Sequence, residues 1–294
     1  MFTFAKAKVR KNFLLTKIMI QKNENTPSSP LHGGRGRMSR LVVRVGRDTM
    51  SFLLPYEDGR VEYHPYRLRN GVSMAANLRQ AFRDEEMLAD CGDKALLSVS
   101  SPVALVPVDE YMDVENYDLD TVYNSTFIGY EQDVKVANVI PDLNCVAIFS
   151  VNKDLKMVIE DRFQDVRIQN VMQPVWGHLY KRSQLIGQRR RVYGYFHDRH
   201  IDIFSFQQRR FRFANRFDAT RAHDALYFLL FVWKQLAMDS EEDELHLVGN
   251  TEHMEWLIQK LRQYVRRVYV INPMADLNRA PASLIEGIDY DMMI

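Results

Sequence analysis

The sequence predicts an α/β fold of two lobes, each a mixed sheet flanked by helices. Three observations predict it. The stretch Arg40–Leu68 (RLVVRVGRDTMSFLLPYEDGRVEYHPYRL) and the stretch Arg191–Phe217 (RVYGYFHDRHIDIFSFQQRRFRFANRF) each give three alternating apolar runs separated by charged turns. Each is followed by a helical segment and then a short apolar strand, Leu96–Ser100 and Leu245–Gly249. The copies lie about 150 residues apart, far beyond the roughly 20–50 residues of a solenoid unit. A duplication at that distance predicts two similar halves facing each other across a cleft.

In the first half, Leu41–Val45 alternates with Arg44 outward, and Met50–Leu54 follows the Gly46–Thr49 turn. Asp58–Gly59 is a hairpin dipeptide, and Val61–Arg67 completes a meander. Ser73–Leu88 reads as a helix, with Ala75, Leu78 and Phe82 on one face and Arg79 and Arg83 opposite. Ala95–Val99 is a buried strand, and Ser100–Ser101–Pro102 opens a short helix. Tyr111–Thr121 is acidic and exposed, as loop or helix. Asp133–Ile140 and Cys145–Val151 are strands around the Pro141–Asn144 turn. Asn152 caps a helix to about Phe163, Val166–Asn170 is a strand, and Met172–Leu185 is a helix.

In the second half, Asp218–Ala237 follows the meander as a core helix, capped by Asp218 or Thr220. Leu245–Val248 is a strand, Glu252–Tyr264 an amphipathic helix and Val268–Ile271 a last strand. The expected organisation is a basic leader over residues 1–38, a first lobe over 39–190, a second over 191–273 and a tail over 274–294. The leader carries eight Lys or Arg against Glu24 alone. It reads as a disordered segment or as sequence preceding a true start at Met38. A basic membrane- or nucleic-acid-touching tail is the other reading, and Thr16 and Lys17 make its apolar segment a poor signal core.

Composition excludes some classes. The chain has 294 residues, 46% hydrophobic, so it can build sizeable cores. Its formal charge of +1 argues against bulk nucleic-acid binding. No apolar run approaches the roughly 20 residues that span a bilayer. Two cysteines, Cys91 and Cys145, make no disulfide framework, so a cytoplasmic setting is expected.

The order of elements, taken twice, resembles the actin-like ATPase (ribonuclease H-like) fold. The chain is more specifically similar to domain-of-unknown-function family 3822, bacterial proteins described with that fold. The segments that carry the resemblance are VVRVGRDTMSFLL, LLSVSSPVALVPVDEY, VYGYFHDRHIDIFSF and ELHLVGNTEHMEWLIQKLRQY, and it covers about residues 40–273. The resemblance implies that the first turn of each half cradles phosphate and that a Gly-rich loop in the second half holds adenosine. Active members pair an aspartate with a nearby glycine in those turns. Here Asp48 and Thr49 are right in type but no glycine follows Asp48, and His197–His200 has none, leaving Asp198. Gly249 fits the adenosine loop, but Asn250 stands where a second glycine is common.

Asp48, Thr49, Asp198, Gly249 and Asn250 are therefore expected to form a vestigial nucleotide cleft, without catalytic residues, metal or cofactor. ATP with Mg²⁺ is the alternative. The cluster Asp109, Glu110 and Asp113 and the set His197, Asp198 and His200 read as polar surface before they read as metal ligands. Arg210 and Arg212 alternate with Phe211 and Phe213, a strand pattern with arginine outward. That face suits an acidic protein partner, or another copy in a homodimer, better than single-stranded nucleic acid. The function expected is protein binding as a scaffold or assembly factor.

Overall fold

The computed structural model describes residues 39–294 apart from 90, 114–116, 186, 188 and 250. The leader reading, on residues 1–38, lies outside the described residues. Strands β1 (Leu41–Val45), β2 (Met50–Pro55) and β3 (Val61–Tyr66) form the first meander, and helix α1 (Met74–Asp84) returns the chain to β4 (Lys94–Val99). Ser73 caps α1 by accepting from the Ala76 N–H. Next come β5 (Val103–Pro107), α2 (Val108–Asp113), α3 (Leu119–Thr126), β6 (Val134–Ile140) and β7 (Cys145–Val151). Helix α4 (Lys153–Arg162), β8 (Asp165–Asn170) and α5 (Met172–Leu185) complete the first half.

The second half runs β9 (Arg191–His197), β10 (His200–Gln207), β11 (Arg210–Asp218), α6 (Ala222–Gln235), β12 (Glu244–Gly249), α7 (Met254–Leu261) and β13 (Arg267–Val270). Two short helices, α8 (Pro273–Asp276) and α9 (Tyr290–Met293), follow.

The two five-stranded sheets share one plan. Their orders are β3-β2-β1-β4-β8 and β11-β10-β9-β12-β13. In each, the meander is antiparallel and the two remaining strands run parallel to its first strand. Crossover helices α1, α4, α6 and α7 supply those parallel connections and bury their apolar stripes against the sheets. Alternation along β9 serves two cores. Val192 and Phe196 join α6 and α7, while Tyr193 and Tyr195 turn to a core shared with α5, β7 and Tyr290. Complete burial of such a side chain contributes about 1.5–3 kcal/mol.

Three elements differ from the sequence reading. Ser100–Pro102 opens no helix: the apolar run Val103–Val106 pairs antiparallel with β7, and β5-β7-β6 makes a separate three-stranded sheet. Helix α6 begins at Ala222, because Asp218 stays in β11 opposite His200. Asp224 reaches back to accept from the Arg221 N–H, so neither Asp218 nor Thr220 is the cap.

The third difference concerns residues 274–294, read as a tail. Ala282, Ile288 and Met292 are buried against Leu53, with Val42, Val61 and Tyr63 around them. The Tyr63 hydroxyl donates to the Gly287 carbonyl at 3.3 Å. The segment is a strap that covers the open face of the first sheet. An antiparallel meander can leave one face in water when that face is polar; here it carries Val42, Leu53, Val61 and Tyr63, and this short segment of Ile, Tyr and Met covers them.

Candidate functional site

The first turns of the two meanders meet. Arg44, at the end of β1, was expected to point to solvent. Its side chain is 1% exposed, because it lies on the sheet face that the strap covers. A buried guanidinium needs partners for every donor, and Arg44 has three carboxylates. Nε donates to Asp291 at 2.9 and 3.2 Å. Nη2 and Nη1 donate to Asp198 at 2.9 and 3.3 Å, and Nη1 also lies 3.3 Å from Asp289. Burial works against its charge, but Asp291, Asp198 and Asp289 outweigh it and raise its pKa further.

Asp198 sits in the tight turn between β9 and β10, with φ of 46° there and 62° at Arg199. Two consecutive left-handed residues are what a two-residue hairpin turn of this hand demands. Burial pushes the Asp198 carboxyl up, yet the His197 hydrogen bond and Arg44 more than offset it and hold it far below the carboxylate range. Thr49 Oγ1 donates to Asp198 at 3.0 Å. A Cβ on Gly46 would fall 2.0 Å from Asp198 Oδ1, so only glycine admits the second turn this closely. Outside the buried pair, Arg199 bonds to Asp48, and Arg47 lies 3.6 Å from Asp218.

The network continues inward. His197 holds Asp198 through Nδ1 at 3.0 Å and Asp202 through Nε2 at 2.6 Å. Burial disfavours its charge, but the two carboxylates prevail and raise its pKa. Arg216 Nε then donates to Asp202 at 3.0 Å. Strap, first turn, second turn and β11 are thus joined as Asp291–Arg44–Asp198–His197–Asp202–Arg216. With both ring nitrogens engaged, His197 is no free metal ligand. Among the described residues no cluster is suited to a metal ion.

Asp289 behaves oppositely to Asp198. Burial, with Asp291 and Asp198 nearby, outweighs Arg44 and pushes its carboxyl up to about 6. A raised acid stabilises the fold at low pH and loses that contribution as pH rises through the folded pKa. Asp289→Asn, which mimics the protonated form, should therefore gain melting temperature relative to wild type as pH climbs from about 4 to about 6 and hold that gain above. A difference that stays flat across this window would show that Asp289 titrates normally.

The structure brings Asp48, Thr49 and Asp198 together, as the sequence reading grouped them. Gly249 ends β12 opposite Phe196 and lines a cavity of about 480 Å³ with Asp198, Thr251 and Tyr290. Its φ is 78°, and a Cβ there would lie 2.3 Å from the Phe196 carbonyl oxygen. Gly249→Ala should cost at least about 2 kcal/mol in urea unfolding. Asn250 lies outside the described residues.

The two arginines expected to face a partner part company. Arg210 is exposed, while Arg212 is half-buried and donates to the Leu236 carbonyl beyond the end of α6. Asp118 caps α3 and Asp120 pairs with Lys135 at 3.2 Å, whereas Asp109 and Glu110 are exposed. Sequence reasoning missed Arg44, Asp202, Arg216, Asp289 and Asp291. A lone arginine inside the apolar run LVVRV was the available signal.

The fold and the facing turns define a protein of the actin-like ATPase fold. A Bacteroides thetaiotaomicron protein of that fold and unknown function is similar, with a TM-score of 0.73, 23% identity and coverage of 82% of this chain and 94% of that one. A structure of the PilM–PilN type IV pilus biogenesis complex matches at a TM-score of 0.54 and 10% identity, over 87% and 96% of the two chains. No curated protein gives a significant match. The chain belongs to the family described as protein of unknown function (DUF3822), whose model matches residues 36–268.

Proposed function

We propose that this protein is a cytoplasmic, non-hydrolysing member of the fold that works by binding another protein, as a scaffold or assembly factor. The observation that carries the reading is the buried Arg44–Asp198 pair where the two turns meet. In active relatives these turns are expected to cradle phosphate. Here a carboxylate, held ionised, fills the approach to Gly46. A phosphate entering would meet like charge and would have to break a buried ion pair.

Removing nucleotide chemistry leaves recognition as the fold's use. A fold neighbour comes from a structure of the PilM–PilN type IV pilus biogenesis complex, a protein assembly. Arg210 is the exposed arginine of β11, available to a partner. The nearby Arg190 and Arg191 are matched to Asp243 and Glu244, which argues against a nucleic-acid surface.

One observation favours a second reading, nucleotide binding: the left-handed Gly249 beside its cavity. Isothermal titration of ATP–Mg²⁺ into the full chain decides between them. No saturable heat at millimolar ATP is expected. Micromolar binding that weakens in Asp48→Ala would overturn the proposal. Affinity purification from the native cells tests the partner half: a protein retained by wild type and lost with Arg210→Glu is expected. An identical set of bound proteins for both would remove Arg210 from the partner surface.

A further inference from the structure

A second cavity, of about 510 Å³, lies among β5, α5, β10 and β11 and shares only His200, among the described residues, with the cavity at Gly249. Buried polar atoms almost always have hydrogen-bond partners, and leaving one without costs about 1–3 kcal/mol. Among the described residues seven buried side-chain polar atoms have none. Four of the seven belong to residues that line this one cavity: Ser100 Oγ, Trp176 Nε1, His200 Nδ1 and Arg216 Nη2. They come from α5, β10, β11 and the link between β4 and β5, so no single local distortion produces them. Trp176 is 3% exposed, and its indole N–H can only donate. Arg216 spends Nε on Asp202 and leaves Nη2 without a partner.

The electrostatics select the ligand's head group. Asp202 divides one carboxylate oxygen between His197 and Arg216, so the outer arm of Arg216 is only partly neutralised. His200 is held below its ordinary pKa by burial and then by the charges of Arg216 and His197. Burial, the larger cause, carries no sign; the smaller contributions of Arg216 and His197 add positive charge beside His200, and Asp218 works against them. Asp218, the other carboxylate in the lining, is exposed and engaged by Arg47 and His200. The rest of the wall is mixed: Val103, Leu105 and Phe127 give it an apolar side, and Arg47 and Asn215 a polar one. Cavities of this size and lining hold small molecules with an apolar body and one or two polar anchors.

We infer that this cavity binds a small carboxylate with an apolar or aromatic body, its carboxylate accepting from Trp176 Nε1 and Arg216 Nη2. The site is independent of whether the Gly249 cavity holds nucleotide.

Phenylacetate is the probe, and phenylacetamide, its uncharged isostere, is the control. Titration of phenylacetate into the full chain should give saturable millimolar binding, about tenfold weaker for the amide. Trp176→Phe keeps an aromatic ring and removes the N–H; it should weaken phenylacetate by about tenfold. Its circular dichroism in the absence of probe should stay that of the folded wild type, with a modest drop in melting temperature expected from the smaller core ring. Arg216→Lys should weaken it too, by losing the second guanidinium arm. Absence of saturable binding by wild type, equal binding of the amide, or unchanged affinity in both variants would overturn the assignment.

Discussion

Arg44→Ala is expected to cost about 3–5 kcal/mol of folding stability, read as a shift of the urea midpoint. The loss comes less from the missing attraction than from what stays behind. Asp291 has a fully buried side chain and Asp198 is 2% exposed, and both would face the interior without their cation. Tyr195 donates to Asp291 at 2.5 Å and His197 still serves Asp198, which keeps the cost below that of two isolated buried charges. A compensating variant isolates the cause. Arg44→Met combined with Asp198→Asn and Asp291→Asn removes the cation and its two buried carboxylates, leaving only the part-exposed Asp289. It should recover much of the loss, since a buried ion pair is worth little over neutral side chains of similar volume. If the triple variant is as unstable as Arg44→Ala, packing rather than charge holds this site together.

The same residue marks how far the sequence was legible. Local pattern carried the meanders and the crossover helices, because those follow from alternation and from dipeptides such as Asp58–Gly59. Arg44 was misread because alternation says only that it shares a face with Val42. Whether that face meets water depends on chain 240 residues later, and residues 274–294 carry too weak a pattern to claim a place. β5 was misread for a related reason. The run Val103–Val106 is too short to show a period, and Ser–Ser–Pro before it suits a helix start as well as a strand entry. Its partner β7 settles the matter through pairing. The grouping of Asp48, Thr49 and Asp198 came from the fold resemblance. What they do to one another could not be read, because the partners of Asp48 and Asp198 are arginines that sequence reasoning had placed on the outside or left unassigned.

Ending the chain at Leu284 is expected to unfold it or leave it aggregated, a loss of at least about 5 kcal/mol. Ile288, Tyr290 and Met292 are buried residues of the removed segment, and each contributes about 1.5–3 kcal/mol by leaving water. The cut also strips Arg44 of Asp289 and Asp291 at once, and it uncovers Leu53, Val42 and Tyr63 on the first sheet. Apolar exposure and an under-paired buried cation act in the same direction. A tail in the ordinary sense predicts the reverse: unchanged far-ultraviolet circular dichroism and an unchanged urea midpoint. Adding the missing segment in trans, as a synthetic peptide covering residues 285–294, separates the two contributions. Wild-type peptide should restore more stability than one carrying Asp291→Asn, because only the former returns both carboxylates, Asp289 and the fully buried Asp291, to Arg44. Equal rescue by both would mean that the strap holds by its apolar side chains alone, and that the carboxylates follow the fold rather than specify it.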